Sequence, residues 1–291
     1  MTETPGLDKR VSMARRVTVS PRKVIDLMRD VGATEIVPRF RSLRPEDIRE
    51  KGPNDPVTIA DTESEKALAE GLKALVPEAE VVGEEAYDAD PSVMNLLMGD
   101  APVWIIDPVD GTRNFAKGED CFAIILALVI DGATRAGFIH DPMTQDCVWA
   151  VEGEGAFNAA GERLTVPRVR DVEDMRGACG FAMRKKFLAR RRLGVGGGLP
   201  KSMTSLGSTG REYMALAEGR LDFAIYAGDV IKPWDHAAGL LIVRETGFKA
   251  VIAEDESIYH PRGIMKDSSP LIAPSAESWR SLLRTFRDLP A

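Results

Sequence analysis

Two hydrophobic periods alternate along the chain, and the points where they change mark its elements. Ser20-Pro21 suits a helix N-cap and first helical position, and Val24, Ile25, Leu27 and Met28 then fall at helical spacing. That helix is expected to break or kink at Gly32 or Pro38, and residues 1–18 ahead of it read as a loose tail. Pro45 to Asp61 has extended character around a turn at Gly52-Pro53-Asn54-Asp55. Asp61 then reads as an N-cap, Thr62-Glu63-Ser64-Glu65 has capping-box spacing, and Leu68, Leu72 and Leu75 share one face before Pro77.

Short continuous apolar runs follow, the pattern of buried strands. Glu80 to Glu85 reads as a strand ending in acids, and Ser92 to Met98 as a helix. Trp104-Ile105-Ile106 predicts a buried strand leading into Asp107 and stopped by Pro108, with Gly111-Thr112 opening a turn or a helix. Cys121–Ile130 and Arg135–His140 read as a hairpin about Asp131-Gly132, extended by Cys147–Val151 and Glu154–Phe157, with a turn at Ala160-Gly161.

From about residue 165, short strands alternate with helices. Strands are expected at Ala178–Phe181, Leu221–Tyr226, Lys249–Ile252 and Leu271-Ile272. Helices are expected near 183–193, through Tyr213–Glu218, from Asp235 to Thr246 with Gly247 as its C′ residue, and over Ser275–Arg287. The pattern gives a tail (1–18), an N-terminal α+β domain (19–164) and a C-terminal α/β domain (165–291).

Composition narrows the partners. With 291 residues, 44% hydrophobic, the chain can bury an ample core, and its net charge of −7 argues against a nucleic-acid polymer. The basic runs Arg184-Lys185-Lys186 and Arg190-Arg191-Arg192 read as a solvated helix face. The longest apolar run, Cys121–Ile130, is too short to span a bilayer, so no membrane partner is expected. Three separated cysteines and a polar start without a signal-peptide core fit the cytoplasm.

The chemistry lies in the acids. Asp107 and Asp110 are three apart where a buried strand ends, Glu84 ends another strand, Asp61 caps a helix and Asp235 follows a Trp at a helix start. Buried carboxylates are costly unless a cation sits among them. Oxygen-only ligands suit Mg²⁺ or Mn²⁺, whose usual substrates are phosphates, and Gly111 would let backbone N–H groups approach one. Taken singly, each acid also reads as a plain cap, a loop Asx turn or a surface charge. A covalent aspartyl phosphatase requires Asp-x-Asp; here the spacing is i, i+3. The chain has no phosphate-binding P-loop, no nucleophile elbow, no His metal pair and no Gly-x-Gly-x-x-Gly in the Gly194–Gly198 run.

Trp104-Ile105-Ile106-Asp107-Pro108-Val109-Asp110-Gly111-Thr112-Arg113-Asn114-Phe115 closely resembles the first signature of the inositol monophosphatase family. Trp234-Asp235-His236-Ala237-Ala238-Gly239 with Glu245-Thr246-Gly247 resembles the second, and Val57-Thr58-Ile59-Ala60-Asp61 and Val82-Gly83-Glu84-Glu85 resemble two upstream motifs. The resemblance, over residues 15–290, implies the layered αβαβα sandwich shared with fructose-1,6-bisphosphatase. It implies a Mg²⁺-dependent, Li⁺-sensitive, homodimeric phosphomonoesterase acting on a small phosphorylated metabolite.

It also implies roles. Glu84, Asp107 and the Val109 carbonyl would hold one ion; Asp107, Asp110 and Asp235 a second; Glu84, with waters, a third and weaker one. Asp61 and Thr112 would activate the attacking water, while Gly111 and Thr112 N–H groups would bind phosphate. Gly207, Ser208 and Thr209 would line the leaving-group side. The segment Tyr226–Pro233 lacks the Glu that inositol-phosphate enzymes place before Trp-Asp, is about two residues longer, and offers Asp229 nearest its position. Inositol monophosphate therefore shares the field with histidinol phosphate, fructose 1,6-bisphosphate and 3′(2′),5′-bisphosphate nucleotides. A non-catalytic binding protein of the same fold is the remaining reading.

Overall fold

A computed structural model describes residues 11–13, 17–52, 55–166, 169–192, 198–228 and 230–287. Of the expected tail, β1 (Val11–Met13) and β2 (Val17–Val19) pair antiparallel, while residues 1–10 and 14–16 lie outside the described residues. Helix α1 (Pro21–Val31) runs into a π-helical turn at Gly32–Ile36 and a 3-10 turn at Val37–Arg39. The α-helix therefore gives way at Gly32, and the helical run ends at Arg39, one residue past Pro38. β3 (Ile48–Gly52) and β4 (Asp55–Thr58) form a hairpin whose tip residues, Pro53 and Asn54, lie outside the described residues.

Helix α2 (Ile59–Leu75) starts before Asp61, which corrects the sequence reading. Thr58 is the N-cap: its hydroxyl accepts from Ala60 N–H at 3.1 Å, and its own N–H donates to Asp61 at 2.8 Å. The capping box is thus Thr58-x-x-Asp61, and it holds the Asp61 carboxylate at the helix's first turn. β5 (Glu80–Gly83) ends one residue before Glu84, the first residue of α3 (Glu84–Ala89); Pro91–Met98 is 3-10.

β6 (Val103–Asp110), the short helix α4 (Thr112–Ala116), β7 (Ala123–Ile130), β8 (Ala133–His140), β9 (Cys147–Val151), β10 (Gly155–Asn158) and β11 (Arg163–Leu164) complete a seven-stranded sheet. Its order is β11-β10-β9-β8-β7-β6-β5, antiparallel except for β5 beside β6. Asp131 and Gly132, both at positive φ, make the expected two-residue turn between β7 and β8.

The chain then forms β12 (Arg176–Cys179), α5 (Phe181–Arg192), β13 (Ser202–Thr204), α6 (Thr209–Ala217), β14 (Phe223–Ile225), α7 (Pro233–Thr246), β15 (Lys249–Ile252), β16 (Pro270–Ala273) and α8 (Ala276–Arg287). These strands form a five-stranded sheet ordered β13-β12-β14-β16-β15, with β12 parallel to both neighbours and β16 antiparallel to both of its own. Gly247 adopts the left-handed conformation that ends α7.

Strand β7 shows how the layers assemble. Ala123, Ile125, Ala127 and Val129 face a core built with α6 and α7. Ile124, Leu126, Leu128 and Ile130 face the opposite core, built with α1 and α2. Both sheet faces are covered, so the run reads as continuously apolar. The small sheet packs its other face under α5 and α8 through Phe187, Phe223, Leu271 and Trp279. The layers are α1/α2, large sheet, α6/α7, small sheet and α5/α8: the expected αβαβα sandwich. Among the described residues, no helix is long and apolar enough to cross a membrane.

Candidate active site

Strand β6 does not stop at Pro108; it bulges there and continues to Asp110. Asp107 pairs with Ile125 and Asp110 with Ala123, so three steps on β6 match two on β7. Strand side chains alternate, and residues three apart would otherwise point to opposite faces. The extra residue reverses the alternation. Val109 accordingly joins Trp104 and Ile106 in the core under α2, and Asp110 stays on the α7 side with Asp107. Asp235, in the first turn of α7, completes the group: one carboxylate oxygen from each of Asp107, Asp110 and Asp235 lies within 4.8 Å of the others.

Asp110 and the nearby Asp61 are held by neighbours outside the group. Asp110 accepts from the Ser208 hydroxyl at 2.5 Å and from the N–H groups of Thr209 and Gly210 at 3.0 and 2.6 Å, which ties it to the first turn of α6. Asp61 accepts from the Thr58 hydroxyl at 2.6 Å and the Thr112 hydroxyl at 2.9 Å. The Thr112 oxygen also lies 2.9 Å from the Val109 carbonyl, so its single proton has two acceptors. Gly111 joins β6 to α4 at φ 98°, where a Cβ would lie 2.9 Å from the Cys121 carbonyl. Only glycine fits there.

Glu84 is placed by three neighbours that the sequence did not assign to the site. Glu65 on α2 accepts from the N–H groups of Glu85 and Ala86, both at 2.8 Å, and so caps α3. Its carboxylate occupies the space a side chain at position 83 would need, 2.2 Å from an ideal Cβ, which accounts for Gly83. Lys51 and Lys232 approach the Glu84 carboxylate at 3.4 and 3.6 Å.

The electrostatics call for a cation. Burial, reinforced by Glu84, Asp110 and Asp235, raises the Asp107 carboxyl well above the usual range, and burial with Glu84 does the same to Asp235. Burial lifts Asp110 to about 6 against the opposing pull of its three hydrogen bonds. Asp61 also reaches about 6, through burial partly offset by Thr58 and Thr112. A hard divalent ion would relieve this repulsion, and the all-oxygen donor set fits Mg²⁺.

The acids open on a cleft of about 490 Å³ whose walls include Val109, Gly111, Thr112 and Gly207 together with Glu84, Asp107, Asp110 and Asp235. Of the expected leaving-group residues, Gly207 lines the cleft, while Ser208 and Thr209 turn toward Asp110. Asp229 lies outside the described residues. Asn114, Phe181 and Lys232 line the cleft without having been expected there, and so does Arg184, which the sequence reading placed on a solvated helix face; Asn114 donates to the carbonyls of Cys121 and Leu206 at 2.7 and 2.9 Å, joining the two sides. A larger groove of about 650 Å³, near Arg170 and Glu277, contains none of the predicted residues.

The inositol monophosphatase family model matches residues 23–288, the span that carries every acid described above. The chain belongs to the inositol monophosphatase family. Relatives within or near it bear two kinds of name. The chain is 32% identical over 201 residues to Nus factor SuhB of Escherichia coli, covering 68% of this chain and 72% of that protein. It is 33% identical, with the same coverage, to the fructose-1,6-bisphosphatase/inositol-1-monophosphatase of Thermotoga maritima. The solved inositol monophosphatase (IMPase) of Thermotoga maritima superposes with a TM-score of 0.73 at 27% identity, covering 91% of this chain and 97% of that one. Inositol monophosphatase II of Staphylococcus aureus shares the fold at a TM-score of 0.70 and 21% identity, over 90% and 91% of the two chains. The family generally uses Mg²⁺ and small phosphate substrates, consistent with the acid cluster.

Proposed function

We propose that the protein is a Mg²⁺-dependent phosphomonoesterase that hydrolyses a small phosphate monoester by direct attack of water. The observation that carries this reading is the pairing of two devices in one site. The Asp107–Asp110–Asp235 trio suits divalent cations, and the Thr112–Asp61 hydrogen bond of 2.9 Å suits a proton relay. When bound, Mg²⁺ ions would neutralise phosphate charge and lower the pKa of the attacking water. Asp107 and Asp235, with Asp110, would hold one ion; Glu84, Asp107 and the Val109 carbonyl would hold another, and Glu84 a third.

The remaining steps belong to the chain. A water beside Thr112 would give its proton to the Thr112 oxygen as that hydroxyl gives its own to Asp61 Oδ1. A carboxylate with a pKa of about 6 is poised to accept a proton near neutrality and release it again. Ser208 and the α6 backbone keep Asp110 oriented by bonding its oxygens. Gly111 and Thr112 line the cleft where the phosphate would sit. The proposal extends, through the family, to Li⁺ inhibition, a homodimer and a cytoplasmic setting.

The test is Mg²⁺-dependent phosphate release from a panel of inositol 1-phosphate, histidinol phosphate, fructose 1,6-bisphosphate and 3′-phosphoadenosine 5′-phosphate. Release from at least one at millimolar Mg²⁺, abolished by chelator, is expected. No release from any of them would leave the non-catalytic reading, which the Nus factor naming of several relatives favours.

A further inference from the structure

The cleft contains more positive charge than the acids engage. Lys232 pairs with Glu84, and Lys51, nearby, pairs with Glu84, Glu85 and Asp88. Arg113 and Lys117 on the α4 side, and Arg184 on α5, line the same cleft and have no ion-pair partner among the described residues. A cation whose task is to offset the acid cluster would sit within pairing distance of it, as Lys232 does; these three do not. The Arg184 Nε is moreover shielded from solvent and has no hydrogen-bond acceptor. A guanidinium nitrogen in that condition is costly unless a ligand brings the acceptor.

Phe181, one turn earlier on α5, lines the cleft with Arg184 and leaves 74% of its surface exposed. Residues three apart share a helix face, so α5 offers the cleft one apolar wall and one fork of donors. A planar guanidinium matches the oxygens of a phosphate in a two-point contact, which a lysine cannot reproduce.

We propose that the substrate carries a second phosphate on its leaving group, read by Arg184 with Arg113 and Lys117. This inference rests on the phosphomonoesterase reading for the position of the first phosphate and specifies the substrate class of that site.

The test separates the two. Calorimetry on the full chain, with Ca²⁺ replacing Mg²⁺, would compare the binding of glucose 1,6-bisphosphate and glucose 1-phosphate, and phosphate release from both would be followed with Mg²⁺. The bisphosphate is expected to bind at least tenfold tighter. Arg184→Gln should shrink that ratio at least fivefold, and Arg184→Lys should restore only part of it. Because the ratio is taken within each variant, a general loss of folded protein cancels. Equal affinities in the wild type, or an unchanged ratio in Arg184→Gln, would overturn the second-phosphate site. Release of phosphate alongside equal affinities removes this inference and keeps the enzyme. A clear affinity gap without any release keeps the second-phosphate site and removes the enzyme.

Discussion

Asp107 is 2% exposed and is surrounded by like charges. An amide there removes one repelling charge and keeps the oxygen that accepts from Val109 N–H at 3.1 Å. Asp107→Asn should therefore fold at least as stably as the wild type without metal. It should lose the thermal upshift that Mg²⁺ gives the wild type, and turnover should fall by about three orders of magnitude, since metal stabilisation is worth several kcal/mol. A variant that kept its Mg²⁺ shift in a melting experiment would contradict the ligand assignment. His140 bears on acid stability. It is fully buried at the end of β8, and burial lowers its pKa from 6.5 to about 4. The unfolded chain therefore takes up a proton that the folded one refuses. Stability is lost as pH falls from about 6.5 towards 4, at about 1.4 kcal/mol per pH unit. Between pH 6.5 and 5, the unfolding free energy read from urea titrations should fall by about 2 kcal/mol more in the wild type than in His140→Gln. Equal losses would show that the imidazole titrates normally.

At the scale of elements, α3 shows what the sequence concealed. Glu84 was legible because a short apolar run and Gly83 lead straight to it. Its support was not, because Glu65 lies twenty residues earlier and bonds Glu85 across a helix–helix junction. Gly83→Ala should displace the Glu65 carboxylate, exposing the α3 N–H groups and costing roughly 2 kcal/mol in chemical denaturation. Mg²⁺ affinity, read by calorimetry, should weaken with it as Glu84 loses its seat. An unchanged affinity would mean that α3 holds its position without the cap. Asp61 is a similar case. It was visible as an acid at a helix start, but Thr58 takes the cap and Asp61 the third helical position. The carboxylate sits in the same residue, three positions deeper in the helix than the sequence reading placed it. Pro108 misled for another reason: proline signals a strand's end, yet a bulge accommodates it inside β6.

For the molecule as a whole, apolar period and turn chemistry are local, and they predict helices with an antiparallel sheet followed by an α/β part. The αβαβα layering is what the resemblance to the family implies, and the structure accounts for it: β6 to β9 are apolar on both faces, and helices cover them. The acids that meet, and the cations that do not pair with them, come from segments far apart, and no period in the chain records that. Ser208 and Thr209 show the difference: their motif was recognisable, but that they turn toward Asp110 emerges only in three dimensions.

The Asp110 bonds to α6 bear on the order of events in folding. They join residues 98 to 100 positions apart, so the cluster cannot exist until α6 has docked on the large sheet. Closing so long a loop is a late step, and contacts absent from the transition state govern unfolding more than folding. Added Mg²⁺ should leave the refolding arm of a chevron plot unmoved and lower the unfolding arm. A faster refolding arm would place the cluster in the folding nucleus. Bound metal would then act on this protein chiefly as a kinetic latch, lengthening the lifetime of the folded state without hastening its formation.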